Sequence, residues 1–259
     1  MPKMRVATFN VNSVRTRLPI VLSWLESNTP DVFCMQETKV IDEQFPTEAF
    51  EQAGYHVLIS GQKSYNGVAI ATRHRSAPVA IGFDDGGPAD RSRLLAAESE
   101  GVVIVNTYVP QGRDPSHEYF QYKLEWLARL RTWFATHFDP SVPLLWMGDF
   151  NVAPDEIDVY DPVRLNGRVG FHPREREALA DVKSWGFVDV FRQHVGTGGE
   201  YTFFDYRAKD AVSRGIGWRV DHIWATAPLA QRSRAAWIDL EPRKADRPSD
   251  HTILVADFS

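Results

Sequence analysis

Four carboxylates stand where an idle surface acid would not be expected. Glu37 follows the apolar run Val32–Met35 with only Gln36 between, and Asp149 follows Leu144-Leu145-Trp146-Met147-Gly148. Asp221 interrupts the apolar stretch around Trp218–Trp224, and Asp250 sits with His251 just ahead of Thr252–Phe258. A buried carboxylate is costly unless a cation, a metal or hydrogen-bond donors compensate it. One such acid alone reads as a turn residue at a strand end. Four of them, accompanied by Asn10, Asn151 and His251, read as a site. Oxygen donors without a cysteine cluster suit Mg²⁺, with Mn²⁺ as a substitute, better than Zn²⁺. The eight histidines never fall at the H-x-x-x-H zinc spacing. Magnesium takes one or two carboxylates and completes its shell with water and phosphate oxygens, which points to phosphoryl chemistry.

Spacing refines the roles. Asp250 and His251 are adjacent, so on an extended segment their side chains diverge. Asp221, arriving from another strand, is the better partner for His251, and the pair can place a proton or polarise a phosphate oxygen. Asp149 and Asn151 are two apart, which puts them on the same side of extended backbone; a plain Asx turn is the alternative. Gly148 permits close backbone approach. Walker A, G-x-S-x-G and G-x-G-x-x-G motifs are absent, and the one cysteine, Cys34, lies in a strand-like run and reads as core rather than nucleophile.

These residues must be positioned by strands and helices. β-branched, apolar runs recur at Arg5–Phe9, Val32–Met35, Val57–Ile59, Val68–Ala71, Val102–Tyr108, Pro143–Met147, Arg219–Trp224 and Thr252–Phe258. Helical spacing appears at Arg17–Glu26, Ser116–Phe138 and Pro173–Trp185, the last opening on Pro173 after His172. Polar residues with chemistry fall where apolar runs end, Tyr108 among them, so a shared sheet edge would gather them in one cleft. Interspersed strands and helices predict an α/β (α+β) architecture. With 259 residues, 43% hydrophobic and no linker-like tract, residues 1–259 are expected to form a single domain. One cysteine excludes a disulfide framework, and 12% aromatics exclude disorder. No apolar run has the length of a membrane helix, and Met1-Pro2-Lys3-Met4-Arg5 runs into a strand without a signal-peptide core, so a cytoplasmic protein is expected. The net charge of −5 excludes a generally basic coat but not local basic patches such as Arg91/Arg93 and Arg164/Arg168.

The ordered set of segments resembles the exonuclease III family of apurinic/apyrimidinic endonucleases, in the endonuclease/exonuclease/phosphatase superfamily. It runs through Thr8–Asn12 with Arg15, Met35–Lys39, Tyr65–Ile70, Asn106–Gln111, Gly148–Val152, Tyr201–Arg207, Gly217–Asp221 and Pro248–His251, essentially the whole chain. The resemblance implies a four-layer sandwich of two packed mixed β-sheets flanked by helices, and Mg²⁺-dependent cleavage of double-stranded DNA at abasic sites or 3′ ends. It implies Glu37 as principal metal ligand, with Asn10 and Asp250 nearby and Asp149 and Asn151 contributing. Asp149 would align or deprotonate the attacking water. His251, oriented by Asp221, would contact the scissile phosphate, and Tyr108 would meet the developing charge.

By the same resemblance Phe203, Trp218 and Val220 line a pocket for an extruded, base-free sugar, which has no stacking to lose on flipping. Phe204 reads as core. Tyr65, Arg93, Lys123, Arg168 and Arg207, with Asn12, are the further candidates for substrate contact, and Arg73 after Val68–Ala71 is another. Asn12 stands where some relatives carry aspartate, and Gln111 where others have asparagine. The Asn166–Gly170 loop lacks the asparagine pair of the animal-type enzymes, which gives the chain a bacterial look. The expected protein is therefore an abasic-site endonuclease, 3′-end-cleaning enzyme and 3′-to-5′ exonuclease, monomeric and drawn to the nucleoid by its substrate. A superfamily phosphatase or lipid phosphodiesterase, sharing the machinery, and a non-catalytic DNA-end binder are the competitors.

Overall fold

Strands form where the apolar runs lie and where tertiary partners extend them. The computed structural model describes residues 3–259, so Met1 and Pro2 of the N-terminal segment lie outside the described residues. In chain order the strands are β1 Met4–Asn10, β2 Val32–Gln36, β3 His56–Ser60, β4 Val68–Thr72, β5 Ala77–Ile81, β6 Leu94–Ser99, β7 Val102–Tyr108, β8 Leu144–Asp149, β9 Phe187–Asp189, β10 Asp221–Thr226, β11 Ser233–Asp239 and β12 Ile253–Phe258. The helices are α1 Val14–Asn28, α2 Thr47–Gln52, α3 Glu118–His137, α4 Pro162–Leu165, α5 Pro173–Ser184, α6 Val190–His194 and α7 Ala227–Ala230. All eight expected strands and three expected helices are present. β5, β6, β9 and β11 were not anticipated: β5 carries Pro78, β6 and β11 are rich in alanine, and β9 has three residues.

Two six-stranded sheets result, one ordered β11-β12-β1-β2-β4-β3 and the other β5-β6-β7-β8-β10-β9. Both are mixed: β1/β2 and β7/β8 are parallel, while their other pairings are antiparallel. Strand alternation assigns the layers. Val6, Val32 and Cys34 point into the core between the sheets, while Ala7, Phe9, Phe33 and Met35 point outward onto Val14, Val21, Trp24 and Leu25 of α1. On the far side Leu127, Leu130 and Phe134 of α3 and Leu179 and Val182 of α5 cover Leu144 and Trp146 of β8. Helix, sheet, sheet and helix make the expected four-layer sandwich. With both faces covered, β2, β4 and β8 are buried along their whole length, hence their continuous apolar sequence. Among the described residues, no helix is long and apolar enough to cross a membrane.

Several acids of the lysine- and arginine-free stretch Asp149–Asp161 serve structure. Asp161 caps α4, its carboxylate accepting from Arg164 N. Asp158 is fully buried and, with Asp189, grips Arg219: Arg219 Nε donates to Asp158 Oδ1 at 2.6 Å and Nη2 to Asp189 Oδ2 at 2.8 Å. Arg192 adds a second guanidinium on Asp158. Buried beside them, His222 has its Nε2 2.9 Å from Val152 O and its Nδ1 3.0 Å from Arg219. Burial, then the Arg219 charge, pushes this imidazole down from 6.5 to about 4. In the unfolded chain the ring would bind a proton below about pH 6.5, so unfolding takes up protons in that range. The contribution is complete above pH 6.5, and about 3 kcal/mol of it is lost as pH falls towards 4. Melts between pH 7 and 4 should show Tm declining, with a shallower decline in His222→Gln; parallel profiles would assign the acid sensitivity to other groups.

Candidate active site

Register explains why distant residues meet. Parallel pairing sets Asn10 beside Gln36 and Tyr108 beside Asp149, and antiparallel pairing sets Asp221 opposite Asp149. β12 runs against β1, so Ser249, Asp250 and His251 precede it at the same rim. Beneath the rim the two sheets are clasped by buried amides. Gln36 Nε2 donates to Asn106 Oδ1 at 2.7 Å, and Asn106 Nδ2 donates to the carbonyls of Met35 and Ala69. Gly148 sits at φ +137°, and a Cβ there would lie 2.1 Å from Thr107 O, so only glycine lets β8 close against β7 directly before Asp149.

Asn10 is the bridge between the sheets. Its Nδ2 donates to Asp149 Oδ2 at 2.8 Å and to Glu37 Oε1 at 2.9 Å. Asn151 donates to Asp149 twice, from its backbone N to Oδ1 at 2.8 Å and from Nδ2 to Oδ2 at 3.2 Å. Asn151 has φ +52°, so the side-by-side placement of Asp149 and Asn151 comes from an Asx turn and not from extended alternation. His251 Nδ1 lies 2.8 Å from Asp221 Oδ2, the pairing expected from sequence, and its Nε2 lies 3.9 Å from Asp149 Oδ2. Asp250 is half-buried and accepts from Asn12 Nδ2 at 3.0 Å, and Ser249 Oγ anchors this loop on Asn10 O.

The electrostatics are those of carboxylates short of positive charge. Burial holds the Asp149 carboxyl above its usual range, opposed by His251 and reinforced by Asp221 and Glu37. Burial would lower the His251 imidazole, but Asp221 and Asp149 outweigh it, so the ring is pushed up and held protonated. Burial would raise Glu37, but Lys39, at 2.8 Å from Oε2, and Asn10 carry it down. Tyr108 is pushed well above 10, first by burial and then by Glu37 and Asp149, so it remains a phenol able to donate. Arg93 stacks over the Tyr108 ring at 4.8 Å and donates to its carbonyl.

The donor set fits a hard divalent cation. Asp221 Oδ1 is buried without a hydrogen-bond partner among the described residues, and Asp149, Asp221 and His251 offer ligand atoms within 4.8 Å of one another. That trio differs from the set centred on Glu37 that the resemblance implies. His251 Nδ1 is committed to Asp221, whereas Glu37 and Asp149, on either side of the Asn10 amide, offer the carboxylate oxygens that magnesium favours. Lys39, which bonds both Glu37 and Asn12, is a site residue that sequence reasoning quoted within a motif but gave no role. Its position two residues after Glu37 was the available signal.

Phe203 and Trp218 are half-buried and joined by an antiparallel bridge; Phe203 also bridges His251, with ring centroids 5.0 Å apart. A cleft beside them is lined by Trp218, Tyr160, Arg113, Arg164 and Arg168. Val220 is 6% exposed and Phe204 is core. Tyr65 is 69% exposed, just ahead of β4 at the rim. Arg207 is exposed and held by Asp205 at 2.6 Å. Two expectations are corrected. Lys123 is fully buried, paired with Glu175 at 2.5 Å, and offers nothing to a bound phosphate. Its spacing from Phe120 (three residues) and Leu127 (four) sets it on the inner face of α3. Arg73 lies at the opposite end of the sandwich, because β4 runs away from the rim and Arg73 N bonds Asp31 O ahead of β2. Burial pushes the Cys34 thiol up, consistent with a core residue.

Residues 7–251 match the Endonuclease/Exonuclease/phosphatase family. The chain is similar to "Exodeoxyribonuclease III" of Haemophilus influenzae, at 34% identity over 98% of this chain and 100% of the relative. It superposes on an AP endonuclease from Archaeoglobus fulgidus with TM-score 0.96 and 47% identity, over 99% of both chains. A 3′ phosphatase from Neisseria bound to a product DNA hairpin gives TM-score 0.92 and 35% identity, again over 99% of both.

Proposed function

The chain belongs to the endonuclease/exonuclease/phosphatase family, and within it we infer a metal-dependent nuclease of DNA repair. In this reading it hydrolyses the phosphodiester 5′ to an abasic site, removes 3′ blocking groups and degrades duplex DNA from 3′ ends. It acts as a single domain of residues 1–259, as a monomer in the cytoplasm, brought to the nucleoid by its substrate. The observation that carries the reading is the joining of Asp149, hydrogen-bonded by Asn10 and Asn151, to the Asp221–His251 pair beside the half-buried Phe203 and Trp218.

Each residue then has a task. Asp149, its lone pairs fixed by three donors, orients the attacking water and takes its proton. His251, protonated through Asp221, turns Nε2 towards the space it shares with Asp149 and donates to a nonbridging phosphate oxygen. Tyr108 donates to the charge that accumulates at phosphorus. Glu37, Asn10, Asp250, Asp149 and Asn151 would hold Mg²⁺, for which Mn²⁺ can substitute. When bound, that ion supplies Lewis-acid stabilisation of the phosphate. Phe203, Trp218 and Val220 shape the recess for a base-free sugar. Asn12, Tyr65, Arg93, Arg168 and Arg207 meet the backbone or adjoining sugars.

An end-labelled duplex carrying one abasic analogue tests the assignment. With Mg²⁺ it should be cut on the 5′ side of the analogue, and EDTA should abolish cutting. Cleavage that persists in EDTA, or an intact duplex alongside hydrolysis of inositol phosphates, would replace this reading with another member of the superfamily.

A further inference from the structure

Lys123 is a buried ammonium that no contact with DNA explains. It comes from α3, and its Nζ donates to Asn151 O at 2.7 Å, to Gln111 O at 3.3 Å and to Glu175 Oε1 at 2.5 Å. Glu175 Oε2 in turn accepts from Gly170 N at 2.8 Å and His172 N at 3.1 Å. One ion pair thus joins the loop after β7, the loop after β8 and the loop before α5. The last of these also seats Trp218: a Cβ on Gly170 would lie 3.3 Å from Trp218 Cζ3.

The contact with Asn151 matters most. Asn151 holds a left-handed backbone, φ +52°, which asparagine tolerates better than other residues with a Cβ but at some cost, so the hydrogen bonds around it help to keep it there. Two restraints come from Asp149 and a third from Nδ2 donating to Val109 O at 2.9 Å. Lys123 supplies the restraint on the carbonyl side. A buried lysine–glutamate pair is weak evidence of stabilisation, because desolvating two charges consumes most of their attraction. What the pair provides besides its own attraction is four hydrogen bonds to backbone groups of three loops, Asn151 O, Gln111 O, Gly170 N and His172 N, so its work is to hold those loops in place.

Resting on the nuclease reading above, we propose that Lys123 is a positioning residue for hydrolysis: with Glu175 it fixes the Asn151 peptide, and through it the Asp149 carboxylate. The step it serves is water attack, not DNA binding. Its loss should therefore appear in kcat rather than KM.

The test uses the full chain, the abasic-analogue duplex and Mg²⁺. Lys123→Met alone strands the Glu175 charge and risks unfolding, so Lys123→Met/Glu175→Gln, which removes both charges, is the informative variant. Methionine leaves the Asn151 and Gln111 carbonyls without their donor, so Tm should fall by several degrees; well below that melt, KM should stay within about twofold and kcat should be lower by at least about tenfold per folded molecule. Adding Asn151→Ala should cost that double variant much less than it costs the parent, since residues acting through one another are non-additive. A double variant with parental kcat, or strictly additive losses, would overturn the proposal. A parent protein that leaves the abasic duplex uncut would instead remove the nuclease reading, and the proposal with it.

Discussion

Replacing Asp149 by asparagine should slow cleavage of an abasic duplex by about 10²–10⁴-fold, the usual worth of a placed general base. The fold should survive. Asparagine matches the carboxylate in shape, and it removes a buried charge that burial already disfavours. Against that gain, an amide has one acceptor where the carboxylate has two: with its oxygen towards the Asn10 and Asn151 Nδ2 donors, its NH2 would face Asn151 N in a donor–donor contact. Those effects are comparable, at about 1–3 kcal/mol each, so Tm should move by only a few degrees. Circular dichroism melts and single-turnover cleavage on the same preparation separate the two. Cleavage by Asp149→Asn within tenfold of the parent would remove Asp149 from the hydrolytic step.

Arg219→Met should produce the largest loss of stability. Arg219 is fully buried and gives charged hydrogen bonds to Asp158 and Asp189, whose carboxyls it holds below their ordinary range against the upward pull of burial. Methionine fills much of the volume but leaves two buried carboxylates with only Arg192 near Asp158. Breaking such a network costs about 3–5 kcal/mol, or about 6–20 °C in Tm for a chain of this size. Catalysis should suffer only through the folded fraction at low temperature, unless the start of β10 shifts and moves Asp221. A melt within 2 °C of the parent would mean that the network contributes specificity of packing rather than stability.

The strands that place the site were legible because most are central. β1, β2, β4, β7 and β8 are covered on both faces, so burial wrote apolar, β-branched runs into the sequence. β5 and β11 lie at sheet edges, and the short β9 and alanine-rich β6 owe their conformation to neighbours, so propensity alone did not mark them. Lys123 shows the same limit for side chains. Its type suggested a phosphate contact; its helical phase placed it inside, and only the partner helix α5 supplied Glu175 to make burial tolerable.

By itself the sequence determined which chemistry was available: acids, amides and one histidine at the ends of apolar runs, in the order of a known family. The tertiary structure alone decided how they meet. Strand register set Asp221 across from Asp149, the left-handed turn at Asn151 put its amide on that carboxylate, and β4's direction sent Arg73 to the far end. Covalent order carries residue identity, whereas contact between positions a hundred or more residues apart, as for Asn10 and Asp149, exists only once hydrogen-bonded strands fix which ends share a rim.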